Sequence, residues 1–514
     1  LAVGAALHAP HRPTLICTRE KFSHAMAEET FARRGSQIVD ASPSLLVTLL
    51  LTAAAGGMGW GIRGQYGHET GAMIAGLLVA LVVGLLFCRG QTSLFTARVA
   101  ALTAIGIGFG GAMTYGQTVG LSHDPQFNGN WEALRWGMLG LAVIGGVWVG
   151  FAGVLMGMGL GGKRYSSLEI SLLWMALIGL YFLGVFLFNE PFEPAARRLP
   201  RIYFSGDWYW QPDNDALRPR PECWGGLLFA LLGLWAYATF WKHDAMARNV
   251  GLFAMLFGAI GFPTGQSVQA YHSWNRADFQ VGWLGAIEPY MNWWNTMETI
   301  FGAILGAGLG LGVWLNRRTI AQPADAAIEI PVRGEVVLLA MYAAAIVAWN
   351  FLIFPPLDGV ANHSLTMGLL PLTLIFGGRY SAYVIALPIV ALPICGKTLR
   401  ELSYQSGEMP LAMGWTLLVI LPLLITLVAA IVLARRGLRG DDGHSFARWA
   451  LMLTSWLYFL LNFAFFRTPA WPFGDATART PSALVFSACL LLLTAACIRP
   501  PSARAEFSSS LSAA

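Results

Sequence analysis

Two eight-residue phrases in this chain are near copies: Gly116–His123 reads GQTVGLSH and Gly265–His272 reads GQSVQAYH. Each starts Gly-Gln-(Ser/Thr)-Val and places a histidine seven positions after the glycine. Glutamine offers both a donor and an acceptor, and histidine titrates near neutral pH, so Gln117, His123, Gln266 and His272 suit a polar ligand or a mobile proton. Asp124 follows the first phrase, and Arg276 and Asp278 follow the second. The plainer reading is that a glutamine at a helix end satisfies free backbone carbonyls.

A third cluster, "GMGWGIRGQYGHET" from Gly57 to Thr70, holds Arg63, Gln65, Tyr66, His68 and Glu69 among five glycines. Glycine lets a backbone approach a partner closely. An arginine or glutamate at membrane depth costs about 2.5–3.5 kcal/mol, so it is usually paired or functional. The bland alternative is an Arg63–Glu69 ion pair closing a turn. The candidate binding set is therefore Arg63, Gln65, His68, Glu69, Gln117, His123, Asp124, Gln266, His272 and Arg276.

Rings crowd two further stretches. "RIYFSGDWYWQPDND" carries Tyr203, Phe204, Trp208, Tyr209 and Trp210 beside Asp207, Asp213 and Asp215, and residues 271–294 add Tyr271, Trp274, Trp283, Tyr290, Trp293 and Trp294. Rings beside carboxylates suit sugars or lipid headgroups, although an interfacial aromatic belt would look the same. No histidine pair has the i, i+4 spacing of a helical zinc site, and no P-loop, GxSxG or HExxH phrase occurs. We expect no metal and no cofactor, and no catalytic residue can be named from a motif.

The elements that must hold these residues are membrane helices. Of the 514 residues, 56% are hydrophobic and only 12% charged, against about 25% charged in soluble domains. A net charge of +5, lying mostly in short loops, reports topology and points to no nucleic-acid partner. The six cysteines show no metal spacing and read as small apolar residues in helices. Residues 1–25 precede Met26 and are left out of the fold reading as a suspected gene-start artefact.

A span needs ~20 apolar residues. The expected fold is all-α and polytopic, with about fourteen spans: 44–62, 70–88, 99–116, 132–160, 168–188, 224–241, 247–264, 293–315, 334–354, 365–378, 381–395, 411–434, 448–466 and 482–497. The tenth and eleventh are short enough to be re-entrant. Ser42 and Pro43 look like the start of the first.

Alternate loops carry Arg33/Arg34, Arg89/Arg98, Lys163/Arg164, Lys242/Arg248, Arg317/Arg318, Arg379, Arg435/Arg436/Arg439 and Arg499/Arg504. The positive-inside rule puts that set and both termini in the cytoplasm of a bacterial inner (plasma) membrane.

Both phrases then lie outside, at the ends of the third and seventh helices. Each is followed by Asn-Trp (Asn130-Trp131, Asn292-Trp293) and a glycine-studded helix. Gly396-Lys397-Thr398-Leu399 is a weaker third copy, with Ser403 in the histidine's place. This suggests parallel four-helix repeats. The expected divisions are a cytoplasmic segment 1–43, membrane units 44–164, 165–318 (with outer loop 189–223) and 319–440, and a terminal hairpin with a disordered tail at 441–514.

The leading functional expectation is transport of a small polar solute, a sugar or organic anion, through an outward-facing polar site in the bilayer. An integral membrane enzyme acting at the outer face on a lipid-linked or glycan substrate is the alternative. A non-catalytic subunit docking a partner is the third. Few polar residues in the inner halves of the helices count against transport. The sequence leaves the oligomeric state open.

Overall fold

The computed structural model describes residues 43–113, 115–214, 216–321, 327–351, 363–467 and 476–498. The N-terminal segment, Ser42, Asp358, Asn362 and the tail fall outside these, as do the side chains of Asp207, Tyr209 and Asn350 and all of Asp215. The described chain is all-α. Its main helices are α1 (Leu45–Arg63), α2 (Glu69–Phe87), α3 (Ser93–Gly110), α4 (Gly116–His123), α5 (Trp131–Leu160), α6 (Ser167–Phe188) and α7 (Trp224–Trp241). They continue with α8 (Ala245–Trp274), α9 (Trp293–Leu315), α10 (Val332–Phe351), α11 (Leu365–Gly377), α12 (Ser381–Gln405), α13 (Leu411–Leu438), α14 (Gly443–Phe465) and α15 (Thr480–Ile498).

Among the described residues, every expected span falls on a helix, residues 352–354 of the ninth lying outside them. Twelve are long and apolar enough to cross a membrane, which makes this a polytopic integral membrane protein in contact with a lipid bilayer. Among the expected spans, α11 is shorter, and α14 carries His444 and Arg448 and is more polar. The cap of α1 is Ser44, whose side chain accepts from the Val47 amide, so the start signal acts two residues later than expected.

Polar contacts gather the loops into two groups. In one, Arg98 Nη2 donates to the carbonyls of Ala327 (2.8 Å) and Gly378 (3.0 Å), Lys242 meets Glu169 at 2.9 Å, and the Gly443 amide donates to Gln91 O at 2.7 Å. In the other, the hydroxyls of Tyr66 and Thr398 meet at 3.2 Å, and Asn128 Nδ2 donates to Ser273 O at 3.0 Å. The first group is the arginine-rich set, the one expected on the cytoplasmic side. The second is called the outer end below.

α2 occupies the middle of the bundle, with nearly every residue from Thr70 to Leu85 buried. Around it, two glycine seams bring backbones together. On α1 and α9, a Cβ at Gly56 would strike the Gly302 carbonyl oxygen and one at Gly306 would strike that of Thr52. On α5 and α8, Gly145 and Gly258 stand in the same relation, and Gly153 meets Ala254. Lipid tails are as apolar as leucine, so such close approach is what holds membrane helices together. The glycine-studded helices α5 and α9 thus each grip a different partner. Both begin at an asparagine cap: Asn130 Oδ1 accepts from Ala133 N at 3.0 Å, and Asn292 Oδ1 from Asn295 N at 2.9 Å. The recurring Asn-Trp is therefore a helix start.

The seams give a direct test. Gly302→Val should lower thermal stability by at least about 1–3 kcal/mol, because nothing at that crossing can yield. Gly179→Ala, where a Cβ meets no atom within 4 Å, should instead raise it by ~0.4–1 kcal/mol. Equal melting temperatures for the two variants would contradict this packing.

Candidate functional site

The site grows from the outer end of α1. Arg63 is that helix's last residue and is 1% exposed; Glu298, one turn into α9, is 2% exposed. Two charges buried this far must satisfy each other. Arg63 Nη2 lies 3.1 Å from Glu298 Oε1, and also donates to the Tyr115 hydroxyl. Tyr115 in turn donates to the same carboxylate oxygen at 3.2 Å. A side chain at Gly64 would run into Glu298, so the glycine after α1 makes room for the carboxylate.

Rings enclose this triad. The guanidinium sits over Trp60 (4.6 Å), Tyr115 (5.3 Å) and Trp148 (5.3 Å), a cation–π arrangement that partly replaces its hydration. Phe262 lies edge-on to Tyr115 at 4.9 Å and stacks on Phe301 at 4.5 Å. His68 meets Tyr115 edge-on at 5.1 Å, and His123 meets Trp294 at 5.7 Å. The plainer alternative, an Arg63–Glu69 ion pair, is not what forms: Arg63 pairs with Glu298, which joins the first and eighth expected spans. Glu69 instead lies within reach of the charges of Lys397 and His363. His363 itself is buried and bonded to Phe109 O at 2.8 Å.

The paired phrases are brought together, but not as equivalent walls. The first forms the separate helix α4, beginning after α3 has ended at Gly110; the second is the end of a continuous α8, which runs ten residues past its expected end at 264. Gln266 is fully buried, and its Nε2 donates to Ser122 Oγ of the first phrase at 2.7 Å. Gln117 turns the other way, to Arg218 O of the long loop at 3.1 Å. Trp274 Nε1 donates to Ser122 O at 3.0 Å.

The histidines differ too. His123 Nδ1 lies 2.9 Å from Val119 O, and its Nε2 lies 3.6 Å from Asp124. His272 Nε2 meets Glu288 at 2.8 Å, and its ring stacks on Trp293 at 4.4 Å. His272 and the exposed Arg276 thus stand apart from the triad. Gln65 lies half-buried in the turn after α1. The third phrase does reach the site: Lys397 Nζ donates to Tyr66 O at 2.5 Å.

Among the described residues, several buried polar atoms near the triad have no hydrogen-bond partner: Arg63 Nε, Trp60 Nε1, His68 Nδ1, Gln266 Oε1, Gln269 Oε1 and Asn295 Oδ1. Groups of this kind require a partner. No three metal-donor side chains come together among the described residues.

The long loop covers the site without stacking rings into it. Tyr203 and Phe204 are buried: the Tyr203 hydroxyl bridges the Arg220 backbone, and Phe204 packs over Gly140. Within the loop the Arg197–Asp213 and Arg198–Glu193 pairs lie on the surface. Trp283, Tyr271 and Trp131 are exposed, as an interfacial belt requires.

The chain matches no protein-family model, no curated protein and no solved structure.

Burial and the nearby charges of Arg63, Lys397 and Arg220 press the His68 pKa from 6.5 down to about 3, so at neutral pH its ring is an uncharged base. Burial lifts Glu222, near the end of the long loop, from 4.5 to about 7. The signs are opposite. Between pH 6.5 and 3 the unfolded chain takes up a proton at His68 that the folded chain refuses, so stability falls with falling pH. Glu222 holds a proton only when folded; its contribution is full below pH 4.5 and lost as pH rises through 7. Each group's slope approaches about 1.4 kcal/mol per pH unit. Melting curves should show His68→Gln flattening the acid limb, and Glu222→Gln gaining on wild type from pH 5 to 8. Parallel curves for all three proteins would refute both assignments.

Proposed function

We propose that the Arg63–Tyr115–Glu298 centre, with His68 beside it, is the binding and reaction site of an integral membrane enzyme. It acts at the outer face on a lipid-linked or glycan substrate carrying an anionic or hydroxyl group. The observation that carries this reading is one-sidedness. The triad and its unpartnered polar atoms cluster at the outer end, while α2 beside them is apolar from Ala72 to Phe87 and α1, α5 and α9 hold no ionisable residue in their inner halves. The buried threonines there, Thr48 and Thr52, donate to backbone carbonyls of their own helix or its cap. A solute or proton carried inward would find no charged relay along these helices.

In this reading Arg63 holds the substrate's anionic oxygen. His68, uncharged and with Nδ1 unbonded, holds the substrate's hydroxyl by a hydrogen bond. Tyr115, bonded to both Arg63 and Glu298, keeps the guanidinium in place. Gln266 and Gln117 orient the phrases around them.

Transport of a sugar or organic anion is the second reading. The glycine-on-glycine seams favour it, because helices in close backbone contact can slide as units.

Vesicles reconstituted with the protein and offered lipid-linked sugars and alkyl phosphates on the outside separate the two. The enzyme reading predicts product on the outer side, with turnover cut about 10²–10⁴-fold in His68→Gln and Tyr115→Phe. Unmodified solute accumulating in the lumen, lost in the same variants, would establish transport instead.

A further inference from the structure

The long loop 189–223 holds a space of its own. An open cavity of about 320 Å³ lies between three of its segments, around residues 194–197, 208–212 and 217–219. Sites for small ligands start at about 300 Å³, so this one has room for a sugar ring. The apolar part of its wall is the half-buried indole of Trp208 with the rings of Pro194, Pro212 and Pro219. The polar part is Arg197 and Arg218, and among the described residues no carboxylate lines it. The loop as a whole carries six acidic residues against five basic ones, so the positive charge is local to the cavity.

Arg197 does meet Asp213 at 2.8 Å, but both side chains are exposed. An exposed pair is worth about 0–1 kcal/mol, so a ligand's carboxylate can take the place of Asp213. The backbone of Arg197 has a φ of +53°, a left-handed conformation in which glycine is the usual residue. Reciprocal backbone bonds between Glu193 and Arg198 hold it there. The turn thus keeps a guanidinium at the cavity at some cost to its backbone.

Two contacts tie the cavity to the buried centre. Gln117 Nε2, of the first phrase, donates to Arg218 O at 3.1 Å. Arg220, two residues further on, is near enough to His68 for its charge to act on that ring. The Tyr203 hydroxyl fixes this stretch by bonding to the Arg220 backbone at 3.0 Å. An indole with proline rings offers a face to the C–H side of a sugar, and a guanidinium pairs with a carboxylate through two parallel bonds.

We propose that this cavity is a subsite for an acidic sugar, of the uronic-acid kind, in a glycan substrate. The sugar ring lies against Trp208 and the prolines, and its carboxylate faces Arg197 and Arg218. The inference rests on the proposed function and narrows it, from a lipid-linked or glycan substrate to an anionic glycan that reaches from the loop to His68.

The test is binding of a disaccharide of glucuronic acid and N-acetylglucosamine to the full-length protein in neutral detergent, read by saturation-transfer NMR. The same disaccharide with glucose in place of glucuronic acid, and acetate, are the comparisons. The acidic disaccharide should bind at least tenfold more tightly than either. Trp208→Ala should weaken it at least tenfold. Arg197→Gln combined with Arg218→Gln should remove the preference for the acidic form. Both arginines are exposed, so this variant decides the matter should Trp208→Ala fail to fold. Arg201→Gln, exposed but outside the cavity lining, should leave binding unchanged.

Equal binding of acetate would make this a free-anion site and overturn the proposal. So would equal binding of the neutral disaccharide, no binding of the acidic one, or indifference to both Trp208→Ala and the arginine variant. Binding is read without turnover. An acidic disaccharide bound as expected by a protein that processes no glycan would refute the enzyme reading alone. A processed glycan with no binding at Trp208 would refute the subsite alone.

Discussion

The buried pairing of Arg63 with Glu298 is the interaction on which the rest of the outer end depends. Neither charge could remain there alone: removing one partner of a buried pair costs about 3–5 kcal/mol. Their meeting requires the end of α1 to lie against the start of α9, although 235 residues separate them in sequence. It also requires Tyr115, and hence the break between α3 and α4 that carries this ring to the pair. The aromatic enclosure of Trp60, Trp148 and Phe301 follows, since a guanidinium taken out of water needs either hydrogen-bond acceptors or ring faces.

The glycine seams make that meeting sterically possible. Gly56 and Gly302 bring α1 and α9 into backbone contact below the pair, and Gly64 leaves space for the carboxylate above it. Gly145 and Gly258 do the same for α5 and α8, which deliver Trp148 and Phe262. Packing and chemistry are therefore coupled: the small residues that glue the bundle also set the distance between its charged groups. The apolar α2 is buried beside them, from Ala72 to Leu85.

Much of the fold could be read from the sequence because its signal is long and redundant. The expected spans fall on helices among the described residues, twelve of them long and apolar enough to cross a membrane. The boundaries were less legible where a helix carries polar residues. α8 continues through Gln266 and His272, which find partners in Ser122 of α4 and Glu288 of the following loop. Of the candidate residues, Arg63 belongs to the triad, His68 packs on Tyr115, Gln266 bonds to Ser122 and His123 meets Trp294. Tyr115 and Glu298 were the missed members. Tyr115 lies directly before the first phrase, and Glu298 is the one acidic residue within the glycine-rich α9. An ionisable residue isolated in an apolar span needs an opposite charge, so the lone Arg63 and lone Glu298 could have been matched on that ground. Glu69 seemed the nearer partner only because it is close in sequence. The four-helix repeat remains an idea from the phrases: both copies are helical, but their glutamines and histidines have different partners.

The most direct test of this account is a double-mutant cycle on the pair. Melting temperatures would be compared for Arg63→Met, Glu298→Met and the double variant in one detergent. The account predicts that each single change is severely destabilising, by about 3–5 kcal/mol, because it strands a buried charge. The double variant should recover most of that loss, while any ligand binding at the site disappears. Additive losses in the double variant would mean that the two residues do not meet in the folded protein, and would contradict the account.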